Sequence, residues 1–381
     1  MKTALLLSLA LSTLQAASPL AESINSFGLD LHTKLSPAPG NLFYSPFSIS
    51  SALGMTAAGA AGNTSTEMRT TLHFQGDIPE QFLVLNKRLH ENAEKSGQSL
   101  RIANGLCLVE GNVAADYKTL LREKFSAEIF SGDLAKVNAW VKEKTNGKIP
   151  KLLEAFPANT VCVILNAIYF KGDWAAAFDK DVTHEASFSV TSDKTVKAMM
   201  MFRKGNYRWI ADKDLQVLEL PYKGEALSML VFLPQTIDGL PALEKQLTPE
   251  VLNGWSEKLG QQRPREIDVF FPRFTLETEY DLNLPLQSLG MKDAFDSDNA
   301  DFSGMGWSKG DLWIGQVKHK AFIQVNEEGT EAAAATAVIM VTRMAMVETP
   351  VFRADHPFFF VIRDNATNTL LFSGRLVNPG P

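Results

Sequence analysis

Cysteine is nearly absent: Cys107 and Cys162 are the only two in 381 residues. Two thiols make no disulfide framework, so an apolar core must hold the chain together. Each cysteine stands in an apolar run of strand character, GLCLV and TVCVIL. A free buried thiol is the ordinary state there, and one bridge stays open should the two strands prove to be neighbours. Histidine is also scarce. His32, His73, His90, His184, His319 and His356 never fall at metal-ligand spacing, and no HExxH occurs. There is no Walker-type phosphate loop and no GxGxxG. Basic runs are missing as well: none reaches five residues, and the formal net charge is −6. Nucleic acid and anionic membrane are therefore excluded as expected partners. Lys87, Arg88 and Lys95 alternate with Glu91 and Glu94 and read as a solvated helix face. No apolar run is long enough to cross a bilayer.

Linkers are lacking too. No long, polar, low-complexity stretch lies between Ser23 and Pro379, and the cluster Ser36-Pro37-Ala38-Pro39-Gly40 is only loop length. With no internal repeat, one mixed domain is expected. A single catalytic pattern occurs, GxSxG at Gly306-Trp307-Ser308-Lys309-Gly310. A nucleophile elbow needs a strand before it and a helix after it. Here the polar SDNADFSGM precedes and the strand-patterned DLWIGQVKHKAFIQV follows, so the match reads as chance. The Asp-rich SDNAD lacks the glycine and terminal glutamate of a calcium loop. No catalytic residue, metal site or cofactor is assigned, and the chain reads as a non-enzyme.

The N-terminus carries Lys2, an apolar run from Ala4 to Leu11, then Ala16-Ala17-Ser18. This is the order of a secretory signal, residues 1–16, cut after Ala16 or Ala17. Leu14 spoils the cleavage box, and a buried N-terminal helix is the alternative. The expected location is extracellular, or periplasmic in a bacterium. The sequons Asn63-Thr64-Ser65 and Asn365-Ala366-Thr367 matter only in a eukaryotic secretory pathway.

What is present in strength is a segment with divided preference, Asn326 to Pro357. Glu331–Ala337 is Ala-rich and favours helix; Val338-Ile339-Met340-Val341-Thr342 is rich in β-branched residues and favours strand. As a strand from Thr330, alternate positions Thr330, Ala332, Ala334, Thr336, Val338 and Met340 share one uncharged face. Glu331, Ala333, Ala335 and Ala337 share the other. A slip of one residue would bury Glu331, so the register is specified. Ala is a poor strand former, and its use here would make sense if the segment slides between existing strands without bulky side chains; a plain Ala-rich surface helix is the alternative.

Six further motifs stand in order: NLFYSPFSISSALGM (41–55), TVCVILNAIYFKGDW (160–174), KAMMMF (197–202), KHKAFIQVNEEGTEAAAAT (318–336), FRADHPFFFVIR (352–363) and LLFSGRLVNP (370–379). Together they resemble the serpins over nearly the whole chain. The resemblance implies an α+β fold in one domain, 17–381. It has a large central mixed sheet, two smaller sheets, about eight or nine helices and an exposed reactive loop at about 328–351. It implies a suicide-substrate inhibitor of trypsin-like serine endopeptidases, expected as a monomer without cofactor, that traps the acyl-enzyme by inserting its cleaved loop into the central sheet. Glu327, Gly329, Thr330, Glu331, Ala332, Ala333, Ala334 and Ala335 match the family's hinge. Ser45, Ser48, Asn166 and His319 match the polar cluster beneath the parting strands, and Trp174 the point where insertion begins. In the family the acyl-donating residue lies sixteen positions after the hinge Glu, which here is Arg343, making Arg343–Met344 the reactive bond. An Arg suits a specificity pocket with an Asp at its base. Met340 and Met344 stay open for elastase- or chymotrypsin-like targets, as does a non-inhibitory carrier, chaperone or storage serpin.

Overall fold

A computed structural model describes residues 18–330 and 349–380. The leader expected at 1–16, the hinge positions Glu331, Ala332, Ala333, Ala334 and Ala335, and the bond Arg343–Met344 lie outside the described residues. Among the described residues there are nine α-helices and three sheets.

The central sheet runs in the order Phe274–Asp281, Lys318–Val325, Gly329–Thr330, Cys162–Asp173, Ser99–Leu108, Glu128–Ser131. It is mixed because the last pair is parallel and the others antiparallel. The second sheet, Leu42–Tyr44, Leu370–Leu376, Phe358–Asp364, Leu227–Pro234, Leu215–Pro221, Trp209–Ala211, is antiparallel throughout. Among the described residues it too has six strands. Its longest strand has 8 residues, against 12 for Cys162–Asp173 in the central sheet. The third sheet has four: Val351–Arg353, Arg265–Pro272, Lys194–Tyr207, Asp179–Thr191.

Local chemistry explains the elements that frame the site. The helix Pro46–Ala57 starts where Ser45 leaves its hydroxyl to accept from the Ser48 amide at 3.0 Å, with Pro46 at the first helical position. Phe47, Ile49, Leu53 and Met55 bury it on several faces, so it threads the core. In Phe358–Asp364 and Leu370–Leu376 every residue is buried, the pattern of strands covered on both faces. Rings fill the space between layers: Phe43 stacks on Phe372 at 5.3 Å, and Phe274 meets Phe360 at 5.6 Å. Lys318–Val325 alternates instead, with His319, Ala321, Ile323 and Val325 turned inward.

The two cysteine strands are antiparallel neighbours, yet no bridge can form. Cys162 stands opposite Leu108, and Cys107 opposite Val163. Directly opposed residues share a face and successive residues alternate, so the thiols project from opposite faces of the sheet. Both are free, and burial pushes the Cys162 thiol up to about 11. Around Ser308 the chain is a 3-10 turn at Ser303–Met305 followed by irregular backbone, and the expected strand begins only at Lys318. With neither strand before nor helix after, Ser308 is no nucleophile elbow.

Candidate functional site

The strand Lys318–Val325 turns back on itself at Asn326. The Asn326 side-chain oxygen accepts from the amides of Glu328 and Gly329 at 3.1 and 3.2 Å, and the Asn326 backbone N–H donates to the Gly329 carbonyl at 2.9 Å. Gly329 and Thr330 then enter the central sheet. Thr330 pairs with Val325 on one side and Gly172 on the other. No other residue type fits at 329, because a Cβ there would sit 2.0 Å from the Gly172 carbonyl oxygen.

The segment after the strand Cys162–Asp173 holds this turn from the other side. The Trp174 amide donates to the Glu328 carbonyl at 2.8 Å, its indole N–H to the Asn326 carbonyl at 3.0 Å, and the Phe178 amide to the Glu327 carbonyl at 2.7 Å. The Glu327 carboxylate is buried and paired with Arg273, whose Nε donates at 2.6 Å. Burial alone would raise that carboxyl, but Arg273 and the Thr183 hydroxyl outweigh it and hold it below the usual range. The Thr330 side chain is 3% exposed, and its hydroxyl lies 2.9 Å from that of Tyr222. Tyr222 in turn stacks on Trp174 at 4.7 Å. Thr330 thus projects into the core, as the uncharged alternate face requires.

Beyond Thr330 the two strands part. Among the described residues no strand ladder joins the facing edges of Lys318–Gln324 and Cys162–Ile168. A cavity of about 230 Å³ lies at the far end between them, with Phe156, Cys162 and Leu312 in its wall. Ser48, Asn166 and His319 line it too, and these three belong to one polar cluster. The Ser45 amide donates to His319 Nε2 at 3.0 Å, so the imidazole proton resides on Nδ1. Burial pushes the His319 pKa down to about 3, which keeps the ring neutral. The Ser45 hydroxyl donates to the Leu371 carbonyl at 2.6 Å, and the Ser48 hydroxyl to Asn166 Oδ1. The four residues named from the sequence are brought together. Asn104 joins them unforeseen: it stands opposite Asn166, takes a hydrogen bond from it at 2.7 Å and one from Ser51 at 3.0 Å, and donates to the Phe125 carbonyl. The available signal was an asparagine inside the apolar strand run RIANGLCLV. Tyr222, Arg273 and Lys180 were also missed, and they carry no local pattern.

The family model for serpins, serine protease inhibitors, matches residues 22–379. The chain is a serpin. Among its curated relatives, leukocyte elastase inhibitor of Sus scrofa is 43% identical, covering 93% of this chain and 97% of that protein. Leukocyte elastase inhibitor of Homo sapiens is 41% identical over 94% and 99%, and serpin B6 of Macaca fascicularis 40% over 94% and 99%. Solved serpin structures superpose closely. Mouse protein-Z dependent protease inhibitor gives a TM-score of 0.83 at 28% identity, covering 95% of this chain and 97% of that one. Human thyroxine-binding globulin gives 0.84 at 28%, covering 95% and 99%. The family model is that of serine protease inhibitors, and the leukocyte elastase inhibitors among the relatives bear an inhibitor's name.

The expected export is corrected by the same relatives. Leukocyte elastase inhibitor and serpin B6 belong to the intracellular clade B serpins, which lack signal peptides, so the secreted location does not stand. The signal was weak for a physical reason: its apolar run from Ala4 to Leu11 is short, and Leu14 occupies a site where the processing enzyme needs a small side chain.

Proposed function

We propose that this serpin inhibits trypsin-like serine proteases by offering Arg343–Met344 as the bond to be cut, with insertion of the freed loop trapping the acyl-enzyme. Insertion is known behaviour of the family. The observation that carries the reading is the register at Gly329–Thr330, which is already that of a strand between two others. Continued one for one, it sets Met340 opposite Cys162, the first residue of its strand. It also sets Ala337 opposite Lys318, the first residue of the other. Arg343 follows just past the end, so a cut there frees a strand that fits the opening. Thr330, Ala332, Ala334, Thr336, Val338 and Met340 would face the core; Glu331 would face away. Ser45, Ser48, Asn166 and His319 hold the strands beneath, and Trp174 and Glu327 the entry.

About ten residues would gain ladder hydrogen bonds at roughly 0.5–1.5 kcal/mol each, on the order of 10 kcal/mol. A protease domain is stable by a similar amount, about 5–15 kcal/mol. Insertion while the enzyme is still tethered therefore suffices to distort it, and a displaced oxyanion hole stops deacylation. The chemistry of attack belongs wholly to the protease.

An elastase-type target is the second reading, favoured by the names of the relatives. The cut would then follow Met344 or Met340. The non-inhibitory reading draws on thyroxine-binding globulin, whose fold this chain shares, but fold alone does not decide function. The small, uncharged hinge face of Thr330, Ala332 and Ala334 favours insertion. Incubation with trypsin should give a complex that survives SDS and release a peptide beginning at Met344, identified by mass spectrometry. Cleavage without such a complex would overturn the inhibitory reading, and a peptide beginning elsewhere would move the bond.

A further inference from the structure

Two successive carboxylates precede the hinge glycine, and each has its own cation. Glu327 takes Arg273. Glu328, its side chain 10% exposed, takes Lys180, which stands half in solvent at the start of the strand Asp179–Thr191. Lys180 lies two residues after Phe178, at the end of the same segment whose Trp174 and Phe178 amides hold the Glu328 and Glu327 carbonyls. Main chain and side chain of Glu328 are thus both fixed by the 174–180 segment. The residue is next to Gly329 and Thr330, the pair that sets the register of entry.

We propose that Lys180, through its ion pair with Glu328, is a positioning residue for loop insertion: it anchors the turn from which the new strand grows. This rests on the inhibitory reading above. Glu328 precedes the stretch that would insert, so the pair persists while the strand lengthens and stabilises its first two residues. Without it the turn at Asn326–Gly329 loosens, entry in register becomes rarer, and hydrolysis of the acyl-enzyme gains on insertion.

The test uses the full chain and trypsin. Lys180→Met and Glu328→Gln should each raise the ratio of cleaved inhibitor to trapped complex about five-fold, the order that one partly exposed ion pair contributes to an equilibrium. The total rate of loop cleavage should stay as in the wild type, because the bond attacked is remote from Lys180. Lys180→Arg should behave as wild type, and the exchange Lys180→Glu with Glu328→Lys should recover most of the loss. Raising the salt should increase the wild-type ratio but leave Lys180→Met unmoved, since screening has no pair left to weaken. Hydrogen exchange of the peptide spanning Asn326–Thr330 in the uncleaved protein should quicken by about the same factor in Lys180→Met. An unchanged or lower ratio, no recovery by the charge exchange, or unchanged amide exchange overturns the proposal. If the wild type forms no complex with trypsin, the inhibitory reading is what fails, and the amide exchange still decides whether Lys180 anchors the turn.

Discussion

Replacing Thr330 by Arg tests the entry point most directly. Thr330 is 3% exposed, paired on both sides, and its hydroxyl lies 2.9 Å from that of Tyr222, which is packed against Trp174 and Phe170 at 4.7 and 4.8 Å. Arg at this position removes the hydrogen bond and leaves the buried Tyr222 hydroxyl unpartnered, at about 1–3 kcal/mol. It also brings a guanidinium into a site built for a hydroxyl, which adds a cost of several kcal/mol if the charge stays buried. The variant can escape only by withdrawing residue 330 from the sheet and losing its pairing to Val325 and Gly172. Withdrawn in the uncleaved chain, residue 330 must be forced back for the loop to insert, which leaves insertion about 3–5 kcal/mol less favourable. If half of that is felt at the barrier, about 2 kcal/mol, insertion slows roughly thirty-fold. Acylation is unaffected, so the loop is still cut and the enzyme released. Titration against trypsin, read on SDS gels, should show cleaved inhibitor in place of complex. Thr330→Ser keeps the hydroxyl and should inhibit nearly as the wild type does. A folded Thr330→Arg protein with wild-type stoichiometry would refute the reasoning.

Gly329→Ala forces a Cβ against the Gly172 carbonyl at 2.0 Å; the turn must shift, and thermal unfolding should begin lower by several degrees, about 1–3 kcal/mol, whereas an unchanged Tm would mean the hinge is not held where it stands. His319 titrates near 6.5 when unfolded and about 3 when folded, so in that window the unfolded chain binds a proton the folded one does not. Its contribution is complete above the unfolded value and is lost, at about 1.4 kcal/mol per pH unit, as the pH falls toward 3. Urea unfolding at pH 7 and pH 5 should therefore show a larger loss for the wild type than for His319→Gln, and equal losses would contradict the assignment. Cys107 and Cys162 face opposite ways, so thiol titration of the unfolded chain should find two free groups, and reductant should leave the Tm unchanged; a Tm that falls on reduction would show a bridge.

Much of the fold was legible because it is written in local pattern. The continuous apolar runs of Phe358–Asp364 and Leu370–Leu376 announce covered strands, and Ser45-Pro46 announces a helix start. The alternation from Thr330 told which side chains could enter a core, and Thr330 does project into one. The expected secreted location is what the relatives overturn, because a lysine followed by a short apolar run is a purely local pattern.

By itself, then, the chain settled its family, the order of its elements and the chemical character of each face. Outside the cluster of Ser45, Ser48, Asn166 and His319, tertiary structure decided which residues meet. Tyr222 reaches Thr330 across 108 positions, Asn104 reaches Asn166 across 62, and Lys180 reaches Glu328 across 148. It also decided that two cysteines on adjacent strands stand back to back, since one step of register moves a side chain to the other face. Hydrophobic period is a property of neighbours along the chain. Strand order and register are properties of the packed whole, and the partners of every polar group at the entry point follow from them.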